Sequence, residues 1–151
     1  MFHRAIELYL KEGTAMEVEF QTGEVKSYDM KNLFEKYPQL EALRNRELFL
    51  QGKLMGGYGI VWNDELDIEA ETIYEDGVTV RQNKVPVNMA AANAVTEARA
   101  KAGLSQAELG ALSGIDQSDI SKIERGAANP SISTLNRLAL AMGMELEIKI
   151  L

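Results

Sequence analysis

The chain has no cysteine, which excludes a disulfide framework and any thiolate metal site. Histidine occurs once, at His3. A histidine-rich metal centre is therefore excluded, as is a His-based triad unless another residue type replaces its helper. No apolar run approaches the ~18 residues that a membrane span needs. The opening M-F-H-R-A-I-E-L places Arg4 and Glu7 where a secretory signal would be apolar. These absences lead us to expect a cytoplasmic protein with no cofactor, no metal and no membrane partner. Positive charge is also scarce: 16 Lys+Arg stand against 23 Asp+Glu. Taken whole, that balance argues against nucleic acid, but it is unevenly spread. Residues 1–87 hold 10 Lys+Arg and 16 Asp+Glu, whereas residues 88–151 hold 6 and 7. The second half is near neutral, and there the local placement of cations matters more than their sum.

With 151 residues, 46% of them hydrophobic and 26% charged, the chain can build one or two small globular domains. The first half alternates. Ile6, Leu8 and Leu10, then Met16, Val18 and Phe20, interleave with polar residues, a period of two that predicts half-buried strands. Thr22-Gly23 reads as a hairpin turn into residues 24–28. Residues 31–36 carry Leu33, Phe34 and Tyr37 at helical spacing and stop at Pro38. A short helix is expected over 47–50, strand over 53–62 broken at Gly56-Gly57, another short helix over 70–75, and a strand over 78–81. A domain boundary is placed near Pro86, giving domains 1–86 and 87–151.

The second half changes to helical period. Its first helix is expected over 88–101, capped by Asn88, with Val95, Ala98 and Ala102 inward. Ser105 to Glu108, S-Q-A-E, is a capping box that opens the next helix. Gly114 supplies a turn, and Asp116 caps a third helix that runs to about Arg125. Asn129-Pro130-Ser131 opens a fourth, with Ile132, Leu135, Leu138, Ala139 and Met142 on one face and Gly143 at its end. The closing E-L-E-I-K-I-L alternates and reads as a terminal strand. The expected fold class is α+β, a small domain with an antiparallel sheet followed by an all-α domain.

The stretches S-Q-A-E-L, S-G-I-D-Q-S-D-I-S-K-I-E-R-G and N-P-S-I-S-T-L resemble the Cro/cI (XRE) family of helix-turn-helix domains over residues 88–143. The resemblance implies a lambda-repressor-like helical bundle that binds double-stranded operator DNA as a homodimer. It places Gln106 at a phosphate-contacting position. It puts Gln117, Ser118, Ser121 and Lys122 on the recognition helix and Arg125 at a phosphate contact after it. It also implies that Arg99 and Glu124 form a structural pair. The chemistry of these side chains agrees. Glutamine pairs bidentately with adenine, lysine donates to guanine, and serine reaches bases or phosphates. A helix N-terminus offers N–H groups to a phosphate. The bland alternative is four packed helices with solvated polar faces. Asp119 is unfavourable next to phosphates, so it is expected to complete a capping interaction with Asp116; accepting from a cytosine amine is the other option.

The first half, through V-E-F-Q-T-G-E-V-K-S-Y-D-M-K-N-L-F-E, R-N-R-E-L-F, G-I-V-W and D-I-E-A-E-T-I-Y, is similar to a bacterial domain family of unknown function (2442) over residues 5–76. That resemblance implies a small α+β fold, gene contexts like those of toxin–antitoxin pairs, and no established catalytic residues. Other candidates are weaker. Gly52, Gly56, Gly57 and Gly59 lack the Gly-Lys-Ser/Thr of a phosphate loop and read as turns. Asp64, Glu65, Asp67, Glu69 and Glu71 lack the spacing of a calcium loop and read as a solvated acidic face. Tyr58 and Trp62 read as core or partner surface.

The expected function is sequence-specific transcriptional regulation, chiefly repression. The first domain would dimerise, sense a ligand or hold a small partner protein such as a toxin. The alternative is an interaction or scaffold protein whose helix-turn-helix no longer binds DNA. No nucleophile–base pair or metal set assembles from the sequence, so an enzyme is the least expected class.

Overall fold

The computed structural model describes residues 2–151 and divides into two compact units, Phe2–Lys84 and Val85–Leu151. The first unit contains β1 (Ala5–Leu10), β2 (Ala15–Phe20), β3 (Glu24–Asp29), α1 (Arg46–Phe49), β4 (Lys53–Met55), β5 (Gly59–Asn63), β6 (Leu66–Glu69), α2 (Ala70–Asp76) and β7 (Val78–Gln82). Two antiparallel sheets result, one in the order β1-β2-β3-β7 and one in the order β4-β5-β6. The registers oppose Leu8 to Val18, Met16 to Tyr28 and Ile60 to Ile68. α2 packs against β3, β5 and β6, and Ile73 is fully buried in the shared core with Met16, Val18, Phe20, Phe49 and Ile60.

Local chemistry explains most of these elements. Gly23 takes the positive φ of 89° that closes the β2–β3 hairpin. The Asn45 carboxamide accepts from the Leu48 N–H at 3.2 Å and starts α1. On the outer face of the larger sheet, Glu17 on β2 takes an ion pair from Arg81 on β7 at 2.8 Å. The register places Ser27 of the intervening β3 opposite Glu17 and Val25 opposite Arg81, so the ion pair spans β3.

Two expectations for this unit need correction. Ile6 is exposed, because a register shift between Ala5 and Glu7 turns it away from the face that Leu8 and Leu10 present to the core. Residues 31–36 do not form a helix of their own. A 3-10 turn covers Met30–Leu33, started by the Asp29 carboxylate, and Pro38 opens a second 3-10 segment, Pro38–Arg44, instead of only ending the first. The acidic run 64–71 forms a solvated face as expected: Asp64, Glu65, Asp67 and Glu69 are exposed, while Leu66, Ile68 and Ala70 of β6 and α2 turn to the core and Glu71 is drawn in to His3 at 2.8 Å. Among the described residues no cluster of His, Cys, Asp and Glu could hold a metal ion.

The second unit contains α3 (Val87–Ala102), α4 (Gln106–Ser113), α5 (Gln117–Glu124) and α6 (Ile132–Ala141). Its core is Val95, Leu109, Ile120, Ile123 and Leu138, with Leu104, Ile115 and Leu135 against it. Among the described residues no helix is long and apolar enough to cross a membrane.

Here too there are corrections. α3 begins one residue earlier than expected, with Pro86 at its N-cap, and Asn88 does not cap it. The Asn88 carboxamide donates instead to the Gly126 carbonyl at 2.8 Å and ties the start of α3 to the turn after α5. Asp116 does occupy the N-cap of α5, but no side chain caps that end, so the expected Asp116–Asp119 capping interaction is absent among the described residues. Ile132 is 65% exposed, since the first turn of α6 projects beyond the core that holds Leu138 and Ala139. The terminal strand is not formed. Residues 144–151 pair with no strand among the described residues.

Candidate nucleic-acid interface

The helix pair α4–α5 is set by its caps and its turn. The Ser105 hydroxyl accepts from the Glu108 N–H at 3.0 Å, and the Ser105 N–H donates back to the Glu108 carboxylate at 3.4 Å. This reciprocal box fixes the start of α4. Gly114 ends the helix at φ 73°, a left-handed conformation that a side chain would oppose. The Arg137 guanidinium then donates to the Ser113 carbonyl at 2.8 Å and holds α6 against that end. Gly110 is required for packing. A Cβ there would lie 3.0 Å from the Ile115 carbonyl oxygen, so the small residue lets α4 approach the turn into α5.

α5 has two chemically distinct sides. Ile120, Ile123 and Glu124 are buried. Gln117, Ser118, Asp119, Lys122 and Arg125 are exposed, and Ser121 is half-buried. Among the described residues, no hydrogen bond or ion pair takes up the polar ends of Gln117, Ser118 and Lys122. The Arg125 guanidinium donates to the Ser121 carbonyl at 3.2 Å and lies back along the helix. The structure thus brings Gln117, Ser118, Ser121, Lys122 and Arg125 onto one short helix and its C-cap.

Gln106 differs from these. Its amide lies 3.4 Å from the Glu124 carboxylate, so it belongs to a buried polar network. Glu124, 7% exposed, is gripped by Arg99 through Nε and Nη2, both at 2.8 Å. Thr96 adds a hydroxyl at 3.2 Å, and the remaining Arg99 nitrogen, Nη1, donates to the Leu104 carbonyl at 2.9 Å. The hydrogen bond with Glu124 raises the Arg99 pKa above its ordinary value, against the opposing effect of burial. The network joins α3, α4 and α5.

Electrostatics around the helix are mixed. A concavity of about 400 Å³ between α5 and the start of α6 is lined by Asp116, Asp119, Lys122, Thr134 and Arg137. Two carboxylates therefore sit beside the two cations. Lys101 is engaged by Glu97 at 3.1 Å one helical turn away. Spacing along the sequence identifies the exposed face of α5. It does not reveal the tie from Asn88 to Gly126 or the concavity, because both depend on how α3 and α6 return to the helix pair.

Residues 95–149 match the helix-turn-helix family model, and residues 5–79 match that of a protein family of unknown function, DUF2442. The chain is 42% identical over 50 residues to an uncharacterized HTH-type transcriptional regulator of Haemophilus influenzae, covering 33% of this chain and 51% of that protein. It is 46% identical over 46 residues to the uncharacterized HTH-type transcriptional regulator y4dJ of Sinorhizobium fredii, covering 30% of this chain and 60% of that one. The chain thus spans between half and three-fifths of the curated relatives that it matches. A crystal structure of protein NE0471 from Nitrosomonas europaea covers 91% of this chain and 85% of its own, at 15% identity and a TM-score of 0.42. The second unit carries an XRE-type helix-turn-helix domain, and the segment that precedes it is a DUF2442 domain.

Proposed function

We propose that this chain is a sequence-specific, non-enzymatic DNA-binding transcriptional regulator, acting in the cytoplasm as a homodimer with α5 in the major groove. One observation carries the reading: α5 buries Ile120, Ile123 and Glu124 and leaves Gln117, Ser118 and Lys122 exposed, with no partner among the described residues. A surface side chain that can read a base edge and is tied to nothing else suits direct readout. The Gln106 and Ala107 N–H groups, which Ser105 does not take up, suit a phosphate. Arg125 supplies a further phosphate contact once it swings off the Ser121 carbonyl.

The first unit supplies the partner side of the proposal. Its acidic balance, 10 Lys+Arg against 16 Asp+Glu over residues 1–87, suits a basic protein such as a small toxin. The chain would then repress its own operon while holding that protein. The test is binding of the purified full chain to the DNA upstream of its own coding region, with unrelated DNA as the competitor. Specific binding whose logarithmic affinity falls linearly with the logarithm of salt concentration supports the regulator. Equal affinity for both DNAs, or none at low salt, supports a scaffold instead. A basic neighbour-gene product that co-purifies and whose toxicity the chain relieves supports the antitoxin-like form.

A further inference from the structure

The segment after α6 has the pattern of a strand and, among the described residues, no strand beside it. Glu145 and Glu147 are exposed while Met144 and Leu146 are half-buried, and beyond them Ile148 is 58% and Ile150 99% exposed. The Glu147 and Lys149 side chains, two residues apart, meet at 3.4 Å, as they do on one face of an extended chain. Leu146, Ile148 and Ile150 then occupy the other face. An apolar stripe with unpaired backbone on both sides invites another strand.

We infer that residues 146–150 pair antiparallel with the same residues of a second copy, with Ile148 opposite Ile148 on the two-fold axis. The inference deepens the homodimer proposed above by naming its contact. The register follows from charge. In a two-fold antiparallel pair, opposed residues have numbers with a constant sum, and an odd sum would set charged residues against apolar ones. Centring on Leu146 opposes Glu145 to Glu147 at both symmetric sites. Centring on Glu147 opposes that carboxylate to itself. Centring on Ile148 opposes Glu147 to Lys149 twice and Leu146 to Ile150 twice, with no like charges facing. The ion pair now made within one chain is exchanged for two between chains, and the apolar stripes merge.

The test uses the full chain. Glu147→Lys and Lys149→Glu each put like charges opposite one another at both sites, so each should raise the dimer dissociation constant about tenfold or more. Mixing the two variants sets two lysines of one chain against two glutamates of the other and should restore a dimer, seen as a heterodimer by sedimentation. Because the chain lacks cysteine, Ile148→Cys should oxidise to a cross-linked dimer, since directly opposed residues stand within disulfide reach. Leu146→Cys should not. A wild-type chain that sediments as a monomer at micromolar concentration would overturn the proposal. So would a dimer that tolerates both charge reversals, or cross-linking at 146 as readily as at 148, including a tail docked on the free edge of β7 of a second copy. DNA binding by the same variants is read separately. A dimer held elsewhere that still binds its operator overturns the tail pairing and leaves the regulator standing.

Discussion

Arg99 holds Glu124 in a two-point fork, Nε to Oε2 and Nη2 to Oε1, both at 2.8 Å, and thereby fastens the last residue of α5 to α3. Only 6% of the glutamate side chain and 20% of the arginine side chain are exposed. Removing either partner leaves a desolvated charge, at a cost on the order of 3 kcal/mol. Glu124→Ala and Arg99→Ala should each lower the melting temperature strongly, and the double variant should lose less than the sum. Thermal melts of all three variants check this; additive, small losses would mean that the pair is not coupled in solution.

Gln117→Ala and Lys122→Ala should leave the melting temperature within experimental scatter, because both residues are exposed and the core of α5 is Ile120 and Ile123. Each should cost ~1–3 kcal/mol of discrimination between the operator and unrelated DNA. Competition binding measures it. Wild-type specificity in both variants would show that α5 is not the reading helix.

Gly52 faces the edge of Trp62. A Cβ at position 52 would lie 2.6 Å from the Trp62 Nε1, and that nitrogen already donates to the Phe49 carbonyl at 2.9 Å. The ring is buried against Phe49 and cannot retreat cheaply. Gly52→Ala should therefore destabilise the chain by about 1–3 kcal/mol, in contrast to Gly13→Ser, where open space surrounds the new side chain and only the positive φ is penalised. Denaturant midpoints of the two variants distinguish a clash from a conformational cost.

Asp29 gives the first unit a pH dependence with a definite sign. Burial raises its pKa, but the Thr14 hydroxyl, the Lys31 N–H and the Lys31 charge outweigh burial, and the net shift is below the ordinary 3.8. A depressed carboxylate stabilises the fold above its unfolded pKa and loses that contribution as pH falls through the folded value. The stability gap between wild type and Asp29→Asn should thus be full at neutral pH and close below about pH 4. Urea titrations across that range check it; a gap that widens on acidification would reverse the assignment.

The sequence shows clearly those parts of the fold that depend on neighbours within a few residues. The Ser105–Glu108 box, the Gly114 turn, the Met16-Val18-Phe20 stripe and the Gly23 hairpin each have a local cause. The errors lie where distant residues decide. Asn88 has an N-cap side chain, but the Gly126 carbonyl takes it up across 38 residues. Ile6 follows the period of two, yet a bulge against β2 displaces it. The 3-10 segment Pro38–Arg44 has no amphipathic repeat long enough to signal it. On the candidate site, periodicity gives the outward face of α5, whereas the link from Gln106 into the Arg99–Glu124 network requires three helices to be in place.

The shortness of α5 sets a limit on information. Eight residues make a helix about 12 Å long, which spans roughly four base pairs at about 3.4 Å each. A sequence of four base pairs recurs about once in 256 positions, while a genome offers about a million or more competing sites. One copy of this helix can therefore recognise a pattern but cannot single out an address. Two copies held in fixed register read twice as many letters, and chance matches become about 256-fold rarer. On the proposed reading, a symmetric partner lengthens the address, separately from any gain in binding strength.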